Sequence, residues 1–346
     1  MGSRRRSSRA TGPSTAPQRL PADAVRATSV AAALAVRTRS GLVETLHDGV
    51  FAAADLDGDL IAHTGDLERP FFLRSSAKPF QAVIAQENGA DLDLLQLALA
   101  SASHDGDPVH VSLIAGMLHE FELGESDLKC PPDWPLGTRA RARALASGEG
   151  KRRITHNCSG KHAAWLRACV ARGWPTETYL EPSHPLQTQI VELVAELGGF
   201  AVEPVGVDGC GAPVLRTNGR AMAVMFARLA SDERLREVYR AMHTYPALVS
   251  GTGNGDASIA TTFDAAAKRG AAGCIGVAVR DQLGLAVKSW DGREDVASAA
   301  AIAGLSQIAR PSAYQDRALS ALVRPEIRGG DEVVGHLEPM LELEWA

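Results

Sequence analysis

Strand-forming sequence brackets this chain at both ends, with mainly helical sequence between, and few folds satisfy that arrangement. Residues 40–65 read as paired strands. The runs 51–55 and 60–64 flank Asp57-Gly58, and an Asp-Gly pair between apolar runs signals a hairpin. From Ser75 to about Ser231 the apolar spacing is mostly that of helices, with segments at 78–88, 92–102, 108–121, 159–172 and 184–197. Strand-like runs return at 274–279 and 283–289, and helical patterns follow at 295–308 and 315–323. Such segments fit one antiparallel sheet that both termini close and helices cover. The expectation is an α/β fold of the α+β type with a largely helical second lobe. A chain of 346 residues, 45% of them hydrophobic, is long enough for two lobes sharing a core.

Charge and hydropathy exclude several functions. The net charge is −5 with no basic lobe, which speaks against nucleic-acid binding. The apolar run 30–36 near the N-terminus is far too short to span a bilayer. Arg4 to Arg6 are separated from that run by a stretch rich in Pro, Ser and Thr, whereas a signal peptide places its apolar region directly behind its basic residues. Residues 1–28 are therefore expected to be a disordered tail, with one folded unit of two lobes over 29–346, in the cytoplasm. Five cysteines, an odd number, argue for reduced thiols rather than a disulfide framework.

Lysine usage carries more information. Of 36 cationic residues only Lys78, Lys129, Lys151, Lys161, Lys268 and Lys288 are lysines. Arginine stays protonated in proteins and lysine need not, so each lysine in so arginine-rich a chain calls for a reason.

In Arg74-Ser75-Ser76-Ala77-Lys78-Pro79, Pro79 is tolerated only in the first turn of a helix, so the helix starts near Ser75 or Ser76. Ser75 and Lys78 then share a face. A helix N-terminus disfavours an ammonium, and a neutral amine beside a hydroxyl is what a Ser–Lys nucleophile pair needs. The plain alternative is a capped helix with a solvated lysine.

Asn157-Cys158-Ser159-Gly160-Lys161-His162 again puts a lysine in a first turn. A thiolate with an unprotonated amine or an imidazole suits zinc, and Cys210 in Asp208-Gly209-Cys210-Gly211 offers a second thiol. Lys288 ends an almost wholly apolar strand before Asp291-Gly292 and reads equally as an edge gatekeeper or a cleft residue. Ser101 to Gly106 reads as a polar helix stop. The Gly251 to Gly255 loop is glycine-rich enough to border a site.

Taken together, these segments resemble the asparaginase II family, the class 3 or Rhizobium etli-type L-asparaginases. The resemblance rests on Arg74-Ser75-x-x-Lys78-Pro79, Ala102-Ser103-His104, the 157–162 hexapeptide, His184-Pro185-x-Gln187, Asp208-Gly209-Cys210 and Lys288-x-x-Asp291-Gly292, in family order over roughly 38–338. It implies a serine β-lactamase- or glutaminase-like fold, a homodimer, and hydrolysis of L-asparagine to aspartate and ammonia. It implies Ser75 with Lys78 and Ser103 with Lys288 as two Ser–Lys pairs, and Cys158, Lys161 and Cys210 as zinc ligands. His162 is expected beside that shell, and Arg74, His104, Asp208 and Gly209 at the substrate. On helix-start geometry Ser75 is the expected acylated serine.

One departure concerns Gly-Thr-Gly-Asn254, where the family commonly has an arginine in place of asparagine. A glutaminase of the same fold and a zinc-stabilised binding protein without catalysis are the alternatives. A penicillin-recognising enzyme would add Ser-Asp-Asn and Lys-Thr-Gly, and neither occurs.

Overall fold

A computed structural model describes residues 32–346; the expected tail at 1–28 lies outside the described residues. The chain builds a nine-stranded antiparallel sheet. Its main path runs Glu326–Gly329, Glu332–Pro339, Ala32–Arg39, Leu42–Ala54, Leu283–Ser289, Cys274–Val279, Ala265–Gly270. The Leu60–Thr64 strand pairs with Leu42–Ala54 as the Asp-Gly turn requires, and Glu344–Trp345 pairs beyond it.

The expected helices lie at Lys78–Glu87, Leu94–Ala100, Pro108–His119, Ser159–Arg172, Pro185–Gly198, Glu294–Ala309 and Ala313–Val323. Pro79 sits in the first turn of its helix, directly after a 3-10 turn over Arg74–Ala77. Several elements were not legible in the pattern, among them the helices Gly219–Ser231 and Gly255–Phe263 and the strand Ala265–Gly270. The strand reads Ala-Ala-Ala-Lys-Arg-Gly, which has little β preference. Full antiparallel pairing with Cys274–Val279 makes it a strand, so tertiary context overrides local propensity.

The central strands are covered on both faces. Along Leu42–Ala54, Val50, Ala52 and Ala54 join one core with Phe80 and Phe226, while Phe51 and Ala53 join a second with Ile302 and Leu305. The same alternation divides the neighbouring strands, as a side-chain period of two demands. The Gly219–Ser231 helix lies so close to the sheet that a Cβ on Gly284 would stand 1.9 Å from the Ala227 nitrogen. Only glycine allows that approach. On the face carrying the first core, the pleat points Lys268, Cys274 and Lys288 toward the helical lobe, opposite Val277, Leu285 and Val287.

Candidate active site

The Arg74–Ala77 turn rests on the end of the Ala265–Gly270 strand. A Cβ on Gly270 would meet the Leu73 carbonyl oxygen at 2.5 Å, and Ser76 Oγ lies 3.6 Å from Cys274 Sγ. Arg74 holds this turn with φ of +51°, a left-handed conformation costly for a side chain with a Cβ. Its guanidinium donates to Asp208 Oδ1 at 2.7 Å, tying the turn to the loop that carries Cys210.

Lys78 is almost wholly buried, and burial lowers the affinity of its amine for a proton. Nζ lies 2.5 Å from the Ala102 carbonyl, 3.4 Å from the Asn157 carbonyl and 3.0 Å from Ser103 Oγ. Carbonyls only accept, so an amine that has given up its proton would spend its two N–H bonds on them and keep its lone pair for the Ser103 hydroxyl. The geometry sets Lys78 beside a different serine from the one that spacing along the helix suggests. Among the described residues no side-chain hydrogen bond joins Ser75 to Lys78, and Lys78 serves Ser103 instead. Lys288 does not reach Ser103. Its Nζ donates to the Ala272 and Ser289 carbonyls, at 2.5 and 2.6 Å. Ser75 stands three residues before Lys78, half-buried where Ser103 is buried.

Cys158, Lys161 and Cys210 converge from the start of the Ser159–Arg172 helix and the 208–211 turn, each at most 5% exposed. Lys161 Nζ lies 3.4 Å from Cys210 Sγ and 4.4 Å from the centroid of Trp165. A hydrogen bond from Cys158 pulls the Cys210 thiol strongly toward thiolate, and the same bond with burial pushes Cys158 up. Burial acts to lower the proton affinity of Lys161, but the Cys210 and Cys158 sulfurs outweigh burial and hold it above its ordinary value. His162 donates to or accepts from Tyr179 Oη at 2.7 Å, which orients its ring beside this cluster. Among the described residues no three His, Cys, Asp or Glu side chains gather as a metal site, so metal binding here requires lysine as the third donor. Two buried thiols and an amine with no carboxylate among them fit zinc.

His104 is bonded into the scaffold. It is fully buried, with Nε2 at 2.9 Å from Ser159 Oγ and Nδ1 accepting from the Gly106 amide at 3.1 Å. Ser159 Oγ already donates to the Ile154 carbonyl, so Nε2 carries the imidazole proton. Both nitrogens are spent on the scaffold, and no edge remains for a substrate. Asp208 is partly buried and Gly209 exposed, and the Gly209 amide donates to Asp208 Oδ1.

Lys268 is the residue that sequence reasoning passed over. It is fully buried on the site face, with Nζ 3.8 Å from Asp256 Oδ2 and 2.9 Å from the Arg269 carbonyl. Burial draws it down to about 7 despite Asp256, and the charge of Lys78 adds to the lowering. Its rarity as a lysine was the available signal; its alanine-rich setting hid the strand. The Gly251 to Gly255 loop does border a cavity, of about 510 Å³, with Asp105 and His110. At Asn254 a cation is supplied from elsewhere, for Arg269 Nη1 lies 3.3 Å from Asn254 Oδ1.

A depressed lysine makes stability depend on pH. Unfolded Lys268 binds its proton up to about 10.5, and folded Lys268 only up to about 7. The folded chain thus binds fewer protons between those values, and its stability rises with pH across that window. The urea midpoint of the wild type should climb from pH 7 to 10, and Lys268→Met should flatten the climb. Equal slopes in the two proteins would contradict the burial argument.

The chain belongs to the L-asparaginase II family, whose sequence profile matches residues 35–339. It is accordingly an amidohydrolase. No curated protein sequence matches the chain. Solved structures similar to it include Mglu (16% identical, covering 76% of this chain and 67% of that one, TM-score 0.42). Mglu in its glutamate form is likewise 16% identical, with coverage of 76% and 61% and a TM-score of 0.42. A probable glutaminase from Bacillus subtilis complexed with 6-diazo-5-oxo-L-norleucine is 14% identical, with coverage of 76% and 83% and a TM-score of 0.35. This chain spans between 60% and 67% of the length of the Mglu chains. Among the described residues no helix is long and apolar enough to cross a membrane.

Proposed function

We propose that the chain hydrolyses L-asparagine to L-aspartate and ammonia, with Lys78 and Ser103 as the proton-transfer unit. The observation that carries this reading is the buried amine 3.0 Å from the Ser103 hydroxyl, with its N–H bonds directed to two carbonyls. A serine oxygen attacks the side-chain amide carbon as its proton passes to Lys78. The Lys78 ammonium then returns that proton to the departing nitrogen, which leaves as ammonia. Water cleaves the resulting ester by the reverse path, releasing aspartate and the serine hydroxyl. Backbone N–H groups at the Arg74–Ala77 turn are suited to the oxyanion.

Cys158, Lys161 and Cys210 would hold zinc, which when bound supplies a fixed positive charge for gripping the substrate. Lys161 must lose its proton to bind metal, so binding releases protons. Asp208 offers a carboxylate to the substrate ammonium. The reading includes a cytoplasmic enzyme acting as a homodimer, with residues 29–346 as its catalytic domain.

Ammonia release from asparagine and glutamine tests the substrate. For the pair, Ser103→Ala should lower kcat by about a thousandfold or more. Near-normal turnover by that variant would remove Ser103 from the mechanism. Intact-mass trapping of the acyl-enzyme then locates the ester: on Ser103 the attack is direct, and on Ser75 Ser103 relays the proton.

A further inference from the structure

We propose that Arg69 is a specificity-determining residue that receives the α-carboxylate of the substrate in the cavity above Lys288. This rests on the asparagine reading and adds the residue that recognises the head of the amino acid.

The cavity has a volume of about 250 Å³ and lies between the 69–74 segment and Ala272, Lys288 and Trp290. Its lining holds three cationic side chains, Arg69, Arg74 and Lys288, and no acid. Two of the three are already committed. Arg74 is neutralised by Asp208 at 2.7 Å. Lys288 gives its N–H bonds to two carbonyls, and burial lowers its proton affinity. Arg69 is exposed, and among the described residues no carboxylate stands within ion-pair distance of it. The adjacent Glu68 is taken by Arg220 at 3.2 Å and Asn218 at 2.8 Å.

Arg69 is nonetheless held in place. Its guanidinium carbon lies 4.0 Å from the centroid of the Trp290 ring. Trp290 is itself fixed, by an edge contact with Phe71 at 6.1 Å and by its amide donating to the Asp48 carbonyl at 2.9 Å. A guanidinium held over an aromatic face by cation–π attraction still has N–H groups to offer an anion, and part of the ordering cost of binding is met beforehand. The cavity lies beside the turn that bears Ser75, because Arg74 of its lining is the preceding residue. Arg74 and the Gly209 amide both bond Asp208 Oδ1, which leaves Oδ2 of that carboxylate to accept from an ammonium next to this mouth. The two charges match the zwitterionic head of a small amino acid, which a volume of this size accommodates.

The test compares L-asparagine with its α-amide, in which the α-carboxylate is neutral. The wild type should favour asparagine through KM. Arg69→Gln should raise KM for asparagine about tenfold or more, the effect of losing a charge-assisted pair, with kcat changed less than about threefold. KM for the α-amide should stay as in the wild type, and Arg69→Lys should recover part of the loss. Because Arg69 is at the surface, melting temperatures should be unchanged, which separates the effect from misfolding. Equal KM changes for both substrates, or none, would overturn the role of Arg69 while leaving the asparagine reading intact. A wild type that releases no ammonia from asparagine overturns that reading and the role of Arg69 with it.

Discussion

Lys78→Met should reduce amide hydrolysis by about a thousandfold or more while the protein stays folded. The two side chains are close in length and flexibility, and methionine avoids burying a charge. Removing a buried lysine that is drawn toward neutrality spares the fold a buried charge. What is lost is donation to the Ala102 and Asn157 carbonyls, a penalty of about 1–3 kcal/mol each if they remain dry. Catalysis has no such tolerance, since the Ser103 hydroxyl then faces a thioether that takes no proton. Steady-state ammonia release, read beside thermal melts, checks both halves. Activity within about tenfold of the wild type would mean that Lys78 is a structural donor only. Lys78→Arg should be equally inactive, because arginine retains its proton at any working pH.

The metal prediction has the next largest effect. If Cys158, Lys161 and Cys210 hold zinc, elemental analysis of the purified wild type should find about one zinc per chain. Cys210→Ser and Lys161→Met should each find nearly none. A ligand that binds only the folded state stabilises it by mass action, roughly 2.7 kcal/mol at a hundred times the dissociation constant. A strong chelator should therefore lower the melting temperature of the wild type by several degrees and leave both variants unmoved. The three donors are buried between a helix start and a tight turn, so the metal would tie the one to the other. Thiol titration gives a readout independent of turnover: Cys158 and Cys210 should be shielded from modification until chelation. Equal zinc content in wild type and variants would place any metal elsewhere.

Much of this was legible before the fold. Pro79 fixed where its helix begins, and the apolar runs at 274–279 and 283–289 became strands with those same bounds. The thiol–lysine cluster could be named because Cys158 and Lys161 are neighbours on one turn and because a second thiol was at hand. The pairing of serines with lysines was not legible. Spacing along one helix suggested Ser75 for Lys78, whereas the packing of the Ala100–Ser103 segment against that helix delivers Ser103 from 25 residues away. His104 looked like a ligand-facing residue because a sequence does not show where both ring nitrogens are satisfied. Lys268 went unread for a related reason. Its strand exists only through its partners, and so its orientation is a property of the sheet.

The order of the sheet also has a consequence for synthesis. The Leu42–Ala54 strand pairs with Leu283–Ser289, and Ala32–Arg39 pairs with Glu332–Pro339. A ribosome emitting this chain must therefore hold back the N-terminal strands until nearly all of the polypeptide has emerged. The helical lobe, whose contacts are closer in sequence, is able to condense first, with Ser103 and the thiols in it. Lys268 and Lys288 arrive with the last strands, so the cavity that Lys288 lines takes shape only as the sheet closes. During that interval the buried edge of 50–54 stands open to pairing with other chains, and slow sheet closure makes it the segment most in need of a chaperone.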